Sequence, residues 1–125
     1  MSYQLNYESE SKMIILTYTG EVRLEDRMQA ALELISLVKE KQPHSVNLLV
    51  DSRKIKNKLS PAEEENFGKY IASNEVLKSI KKIALVHADS NHISFVQCYA
   101  YADGLNIVSF ASFYEAKSWI NGDLP

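Results

Sequence analysis

Two short apolar runs constrain this chain more than any other feature. Val46-Asn47-Leu48-Leu49-Val50-Asp51 and Lys82-Ile83-Ala84-Leu85-Val86-His87 are too brief to be buried helices and too continuously apolar to be strands with one wet face. They read as central strands covered on both sides. A helix-like pattern precedes each of them. In the first, Leu24, Met28, Ala31, Leu32, Ile35 and Val38 recur on one stripe until Pro43 stops it, and Glu25 and Asp26 suit its positive end. In the second, Ser60-Pro61-Ala62-Glu63 is a helix start: a hydroxyl to cap, a proline at the first helical position, and a glutamate to complete a capping box. Phe67, Tyr70, Ile71, Asn74 and Leu77 continue at helical spacing.

The remaining segments fit around this frame. Tyr3 to Glu8 and Met13 to Tyr18 alternate and are separated by polar Ser9 to Lys12, which predicts a hairpin. Thr19-Gly20 then punctuates the chain, and the polar, basic stretch Ser52 to Leu59 reads as a loop. Asp89 or Ser90 can cap a third helix ending at Asp103-Gly104, Asn106 to Phe110 reads as the last strand, and Ser112 to Ile120 as the last helix, with Phe113, Ala116 and Ile120 inward. The order β-β-α-β-α-β-α-β-α predicts a three-layer α/β domain spanning residues 1–125. Its five-stranded mixed sheet carries four helices, and the opening strand is the antiparallel edge. Ligands and partners of such sheets meet the carboxyl ends of the strands, here Gly20 to Arg23, Ser52 to Leu59, Ala88 to His92 and Ala111-Ser112.

Composition narrows the function. A net charge of -2, from 14 basic and 16 acidic residues, gives no global field to draw in nucleic acid or an acidic membrane. No apolar run approaches the roughly 18 residues of a membrane span. The opening Met1-Ser2-Tyr3-Gln4 has no signal-peptide character, and a lone Cys98 fits a reducing compartment, so a cytoplasmic location is the expectation. There is no Gly-x-Ser-x-Gly elbow, glycine-rich phosphate loop or His-Glu-x-x-His. His87, Asp89, His92 and Cys98 match no standard zinc spacing. No catalytic residue, metal or cofactor is assigned, and the chain is not expected to be an enzyme.

The candidate site residues lie elsewhere. Arg53-Lys54-Ile55-Lys56-Asn57-Lys58 sets four cations beside a helix start, either as a solvated loop or as a site for a phosphate, a lipid head group or an acidic partner. No aromatic residues interleave there to stack nucleic-acid bases. Asp51 suits either a working carboxylate or a cap for the following turn. Ser60 reads as a helix cap or a regulatory hydroxyl, the latter placing a phosphate beside Lys54, Lys56 and Lys58. Phe95, Tyr99 and Tyr101 make the third predicted helix apolar on more than one face, which suits a deep core helix, a small pocket or a dimer face.

The element order, the Val50-Asp51 strand end, Leu59-Ser60-Pro61, the Lys82 to Val86 strand and the closing Phe110-Ala111-Ser112-Phe113-Tyr114-Glu115-Ala116-Lys117-Ser118-Trp119-Ile120 resemble the STAS-like group. That group comprises bacterial anti-sigma-factor-antagonist-like domains and relatives with a lipid-transfer-type fold. The resemblance implies a non-catalytic regulatory or scaffolding module that binds a protein partner, or a second copy of itself, through the loops after strands 2 and 3 and the start of helix 2. The alternative is a carrier or sensor of a small lipid-like or anionic molecule. In the antagonists a serine at this helix start, following an aspartate, is phosphorylated. Ser60 holds that place here, with Leu59 before it and Pro61 after it.

Overall fold

The computed structural model describes residues 2–87 and 105–122. Strands β1 (Tyr3–Glu8) and β2 (Met13–Gly20) form the antiparallel hairpin, paired from Tyr3 opposite Tyr18 to Glu8 opposite Met13. The chain then alternates through α1 (Leu24–Lys41), β3 (Asn47–Ile55), α2 (Pro61–Ser73), a 3-10 turn (Leu77–Ser79), β4 (Ile83–Val86), β5 (Ile107–Phe110) and α3 (Phe113–Ile120). The sheet order is β1-β2-β3-β4-β5, with every pair after the first parallel. This is the five-stranded mixed sheet of the sequence reading. The third predicted helix, with Phe95, Tyr99, Tyr101, His92 and Cys98, lies outside the described residues.

Strand alternation divides the core into two layers of contact. Ile14, Leu16 and Tyr18 of β2, Leu48 of β3, Ile83 and Leu85 of β4 and Ile107 of β5 face α1 and the α2 side of the sheet. Met13, Leu49, Ala84 and Val86 face Ala116 and Ile120 of α3. Helices on both faces explain why β3 and β4 read as continuous apolar runs. Each helix returns antiparallel to its strands, so α3 ends near the start of β4, where Lys82 Nζ donates to the Trp119 carbonyl at 2.9 Å. At the other end of the sheet, Thr19 N–H donates to the Ser2 carbonyl at 2.8 Å.

Three details depart from the sequence reading. Ser52 to Ile55 are strand, not loop: after a register shift between Thr17 and Thr19, β2 pairs Lys54 with Thr19 and Ile55 with Gly20. Asp51 therefore sits inside β3 and does not end it. The buried stripe of α1 is Ala30, Ala31, Leu34 and Val38, while Leu32 is 52% exposed. Finally, α2 stops at Ser73, and Asn74 breaks the run by accepting the Leu77 N–H on Oδ1 at 3.0 Å, which leaves buried Leu77 in the 3-10 turn. Gly20 closes β2 at φ +77, a left-handed conformation costly for a residue with a Cβ.

Candidate functional site

All three described helices begin at the carboxyl ends of the parallel strands, so the loops after β2, β3 and β5 share one end of the sheet. Two of these loops are tied together by one side chain. Asn57 Oδ1 accepts the Val22 N–H at 2.7 Å, and Asn57 Nδ2 donates to the Val22 carbonyl at 3.0 Å. The amide thus imitates a strand partner for Val22, whose residue is fully buried. The same carbonyl accepts from Arg27 Nε at 3.3 Å, and Lys56 N–H reaches the Gly20 carbonyl at 2.9 Å. A basic, polar segment is in this way fixed against the start of α1.

Ser60 caps α2 as its sequence suggests. Its hydroxyl accepts the Glu63 N–H at 3.2 Å, and Glu63 Oε1 accepts the Ser60 N–H at 3.1 Å. This reciprocal pair satisfies two backbone donors that the helix cannot satisfy itself. Ser112 repeats half of the arrangement at α3, accepting from Glu115 N–H at 3.2 Å.

The basic cluster splits. Residues two apart on a strand point to the same face, so Asp51 and Arg53 meet on the α3 side. Arg53 Nε and Nη2 donate to Asp51 Oδ1 and Oδ2 at 2.9 and 2.8 Å, and Arg53 N–H adds a bond to Oδ1 at 3.2 Å. Burial pushes the Asp51 carboxyl pKa up, but the side-chain and backbone bonds from Arg53 together outweigh it and hold the carboxyl below its ordinary range. The guanidinium also lies 5.5 Å from the Phe113 ring centre, and its pKa is raised by the bond to Asp51. Arg53 is therefore spent on a buried carboxylate. Lys54 near the end of β3 and Lys56 and Lys58 on the connection into α2 remain exposed.

A cavity of about 120 Å³ lies on the other face of the sheet, between the strands and helices α1 and α2. Its walls are mainly apolar, but Tyr18, Arg27, Ser52 and His87 bring polar groups to its lining. Burial pushes the Tyr18 hydroxyl up to about 12. This volume is well short of the roughly 300 Å³ of pockets that take drug-sized ligands.

Of the residues singled out from sequence, the structure places Lys54 near the end of β3 and Lys56, Lys58 and Ser60 on the connection that follows, and turns Asp51 and Arg53 toward α3. His87 follows β4 on the cavity face, and no cluster of three metal-ligating side chains occurs among the described residues. Asn57 and Arg27 were not singled out. A lone asparagine in a polar loop carries no distinguishing signal, and Arg27 lies one position off the stripe read for α1. No helix among the described residues is long and apolar enough to cross a membrane.

No family model and no curated protein matches the chain. Among solved structures it is similar to an uncharacterized protein of the DUF3478 family with a SpoIIAA-like fold from Shewanella loihica PV-4. The two share 13% identity over 94% of this chain and 91% of that one, with a TM-score of 0.61. At that identity the likeness is one of fold, and it agrees with the strand order and layers described above: the chain has a SpoIIAA-like, that is STAS-like, fold.

Proposed function

We propose that this chain is a non-catalytic regulatory or scaffolding module that binds an acidic surface of a partner protein through the loops after β2 and β3 and the start of α2. The observation that carries the reading is the Asn57 tie to Val22, which holds the segment bearing Lys54, Lys56 and Lys58 against the start of α1. A surface ordered in advance loses less conformational freedom on binding than a floppy loop. The reading is non-catalytic because the other polar side chains there are engaged in structural bonds. Asp51 holds Arg53, Ser60 and Glu63 hold each other, and Asn57 holds Val22. Among the described residues of the connection into α2 and the end of β3, three lysines are left over, which attract anions but assemble no nucleophile with a base.

In this reading a phosphate on Ser60 adds about -1.5 to -2 charges beside the lysines and opposes an acidic partner. The test is affinity purification from the native host with the wild-type chain and a Lys54→Glu, Lys56→Glu, Lys58→Glu variant. A partner that is retained by the wild type, lost by the variant and released from the wild type by salt supports the reading. Equal retention by both chains refutes it.

A further inference from the structure

The cavity beneath α1 and α2 has a chemical gradient set by the strands that floor it. Reading from amino to carboxyl end, the cavity face of β3 runs Leu48, Val50, Ser52, and that of β4 runs Ile83, Leu85 and continues to His87 just past its end. The pairings of Leu48 with Ile83 and Val50 with Leu85 keep the two rows in step. The far end of the floor is hydrocarbon, and the end nearest the loops is polar.

Arg27 stands at the polar end. It lines the cavity, its guanidinium carbon lies 5.8 Å from the centre of the Tyr18 ring, and its Nε is used on the Val22 carbonyl. Among the described residues Arg27 forms no ion pair. The contrast with Arg53 is direct, since that guanidinium grips its own carboxylate with two nitrogens. A half-buried guanidinium is poorly hydrated, and its planar donors match a carboxylate or a phosphate, of which the carboxylate is the smaller and suits this volume. Burial accordingly lowers the Arg27 pKa from its ordinary value, against the fields of Tyr18, Glu64 and Glu63, which raise it.

We propose that this cavity binds a small monocarboxylic acid, its carboxylate held by Arg27 with Tyr18 and Ser52 beside it, and its hydrocarbon lying among Leu34, Leu48, Ile71 and Ile83. Volume sets the ligand's size: a cavity of about 150 Å³ lined by apolar side chains takes up benzene, with its six non-hydrogen atoms, so the smaller cavity here holds an acid of about four or five carbon atoms. A long-chain lipid is too large. The Tyr18 hydroxyl stays protonated to about 12 and is thus a hydrogen-bond donor at any physiological pH. The proposal does not depend on the lysine surface, which occupies a different set of residues.

The test is an NMR titration of the full chain, carrying labelled leucine and isoleucine methyl groups, with butanoate and 3-methylbutanoate and with their neutral counterparts butan-1-ol and 3-methylbutan-1-ol. Saturable shifts are expected at Leu34, Leu48, Ile71 and Ile83, with each acid binding at least tenfold more tightly than its alcohol. Arg27→Gln should bring the acid down to the affinity of the alcohol and leave the alcohol unchanged, while the triple lysine variant should bind butanoate like the wild type. Acid and alcohol binding equally to the wild type would overturn the proposal, as would shifts confined to the Lys54 to Lys58 segment or no binding at all. The wild-type comparison stands even if the Arg27 variant does not fold.

Discussion

Replacing Asn57 by alanine tests whether one side chain holds the two loops together. The substitution deletes both bonds to Val22, at 2.7 and 3.0 Å. The consequences for the two Val22 groups differ. The carbonyl keeps its bond from Arg27, so its loss is that of an ordinary hydrogen bond, about 0.5–1.5 kcal/mol. The N–H belongs to a residue with no exposed surface and has no second partner among the described residues, so it bears a desolvation penalty of about 1–3 kcal/mol. Together these give a loss of about 1.5–4.5 kcal/mol. With an unfolding entropy of about 2.1 cal/mol/K per residue, a chain of this size should melt about 6–17 °C lower. Asn57→Asp keeps an acceptor for the N–H but sets a second oxygen against the carbonyl, so its loss should be intermediate. Urea unfolding followed by the fluorescence of Trp119 is a suitable assay. That single tryptophan packs on Phe110 at 5.7 Å between ring centres, on the α3 face of the sheet, so its signal reports global unfolding and not the loop alone. A loss under about 0.5 kcal/mol, the range of ordinary surface substitutions, would refute the claim that Asn57 fixes this end of the molecule.

Two further outcomes follow from the same surface. Ser60→Ala should cost about 1 kcal/mol in urea unfolding, whereas Ser60→Asp, which also caps, should be close to neutral yet weaken any partner held by the lysines. A Ser60→Asp variant that binds the partner as well as wild type would argue against an acidic contact there. Asp51 has a folded pKa below its unfolded value, so its contribution to stability is present above the unfolded pKa and is lost as pH falls through the folded one. Asp51→Asn should therefore be less stable than wild type at neutral pH, with the gap closing in acid; a gap independent of pH would assign the loss to packing and not to charge.

The architecture was readable because β3 and β4 carry nearly unbroken apolar runs and Ser60-Pro61-Ala62-Glu63 contains its own helix-starting bonds. What was not readable depends on contacts distant in sequence. Lys54 and Ile55 look like loop residues, and they become strand only because the end of β2, past its register shift, offers Thr19 and Gly20 as partners. On α1 two apolar faces compete. Ala30 and Ala31 win the sheet side, leaving bulkier Leu32 in a groove beside Tyr3 and Leu5. The Asp51 and Arg53 pair could have been found from their spacing of two, had the strand been extended through both. Asn57 could not have been: its importance lies wholly in Val22, 35 residues earlier.

The hairpin that opens the chain has a practical corollary. Because β1 runs against β2, Ser2 lies beside Thr19 at the end that carries the lysines, while α3 brings Trp119 back to the start of β4 at the opposite end. A tag or fusion attached before Ser2 therefore emerges next to the proposed binding surface and can mask it. One attached after Gly122 departs from the far side, so immobilisation through the carboxyl-terminal side presents the lysine end to solution.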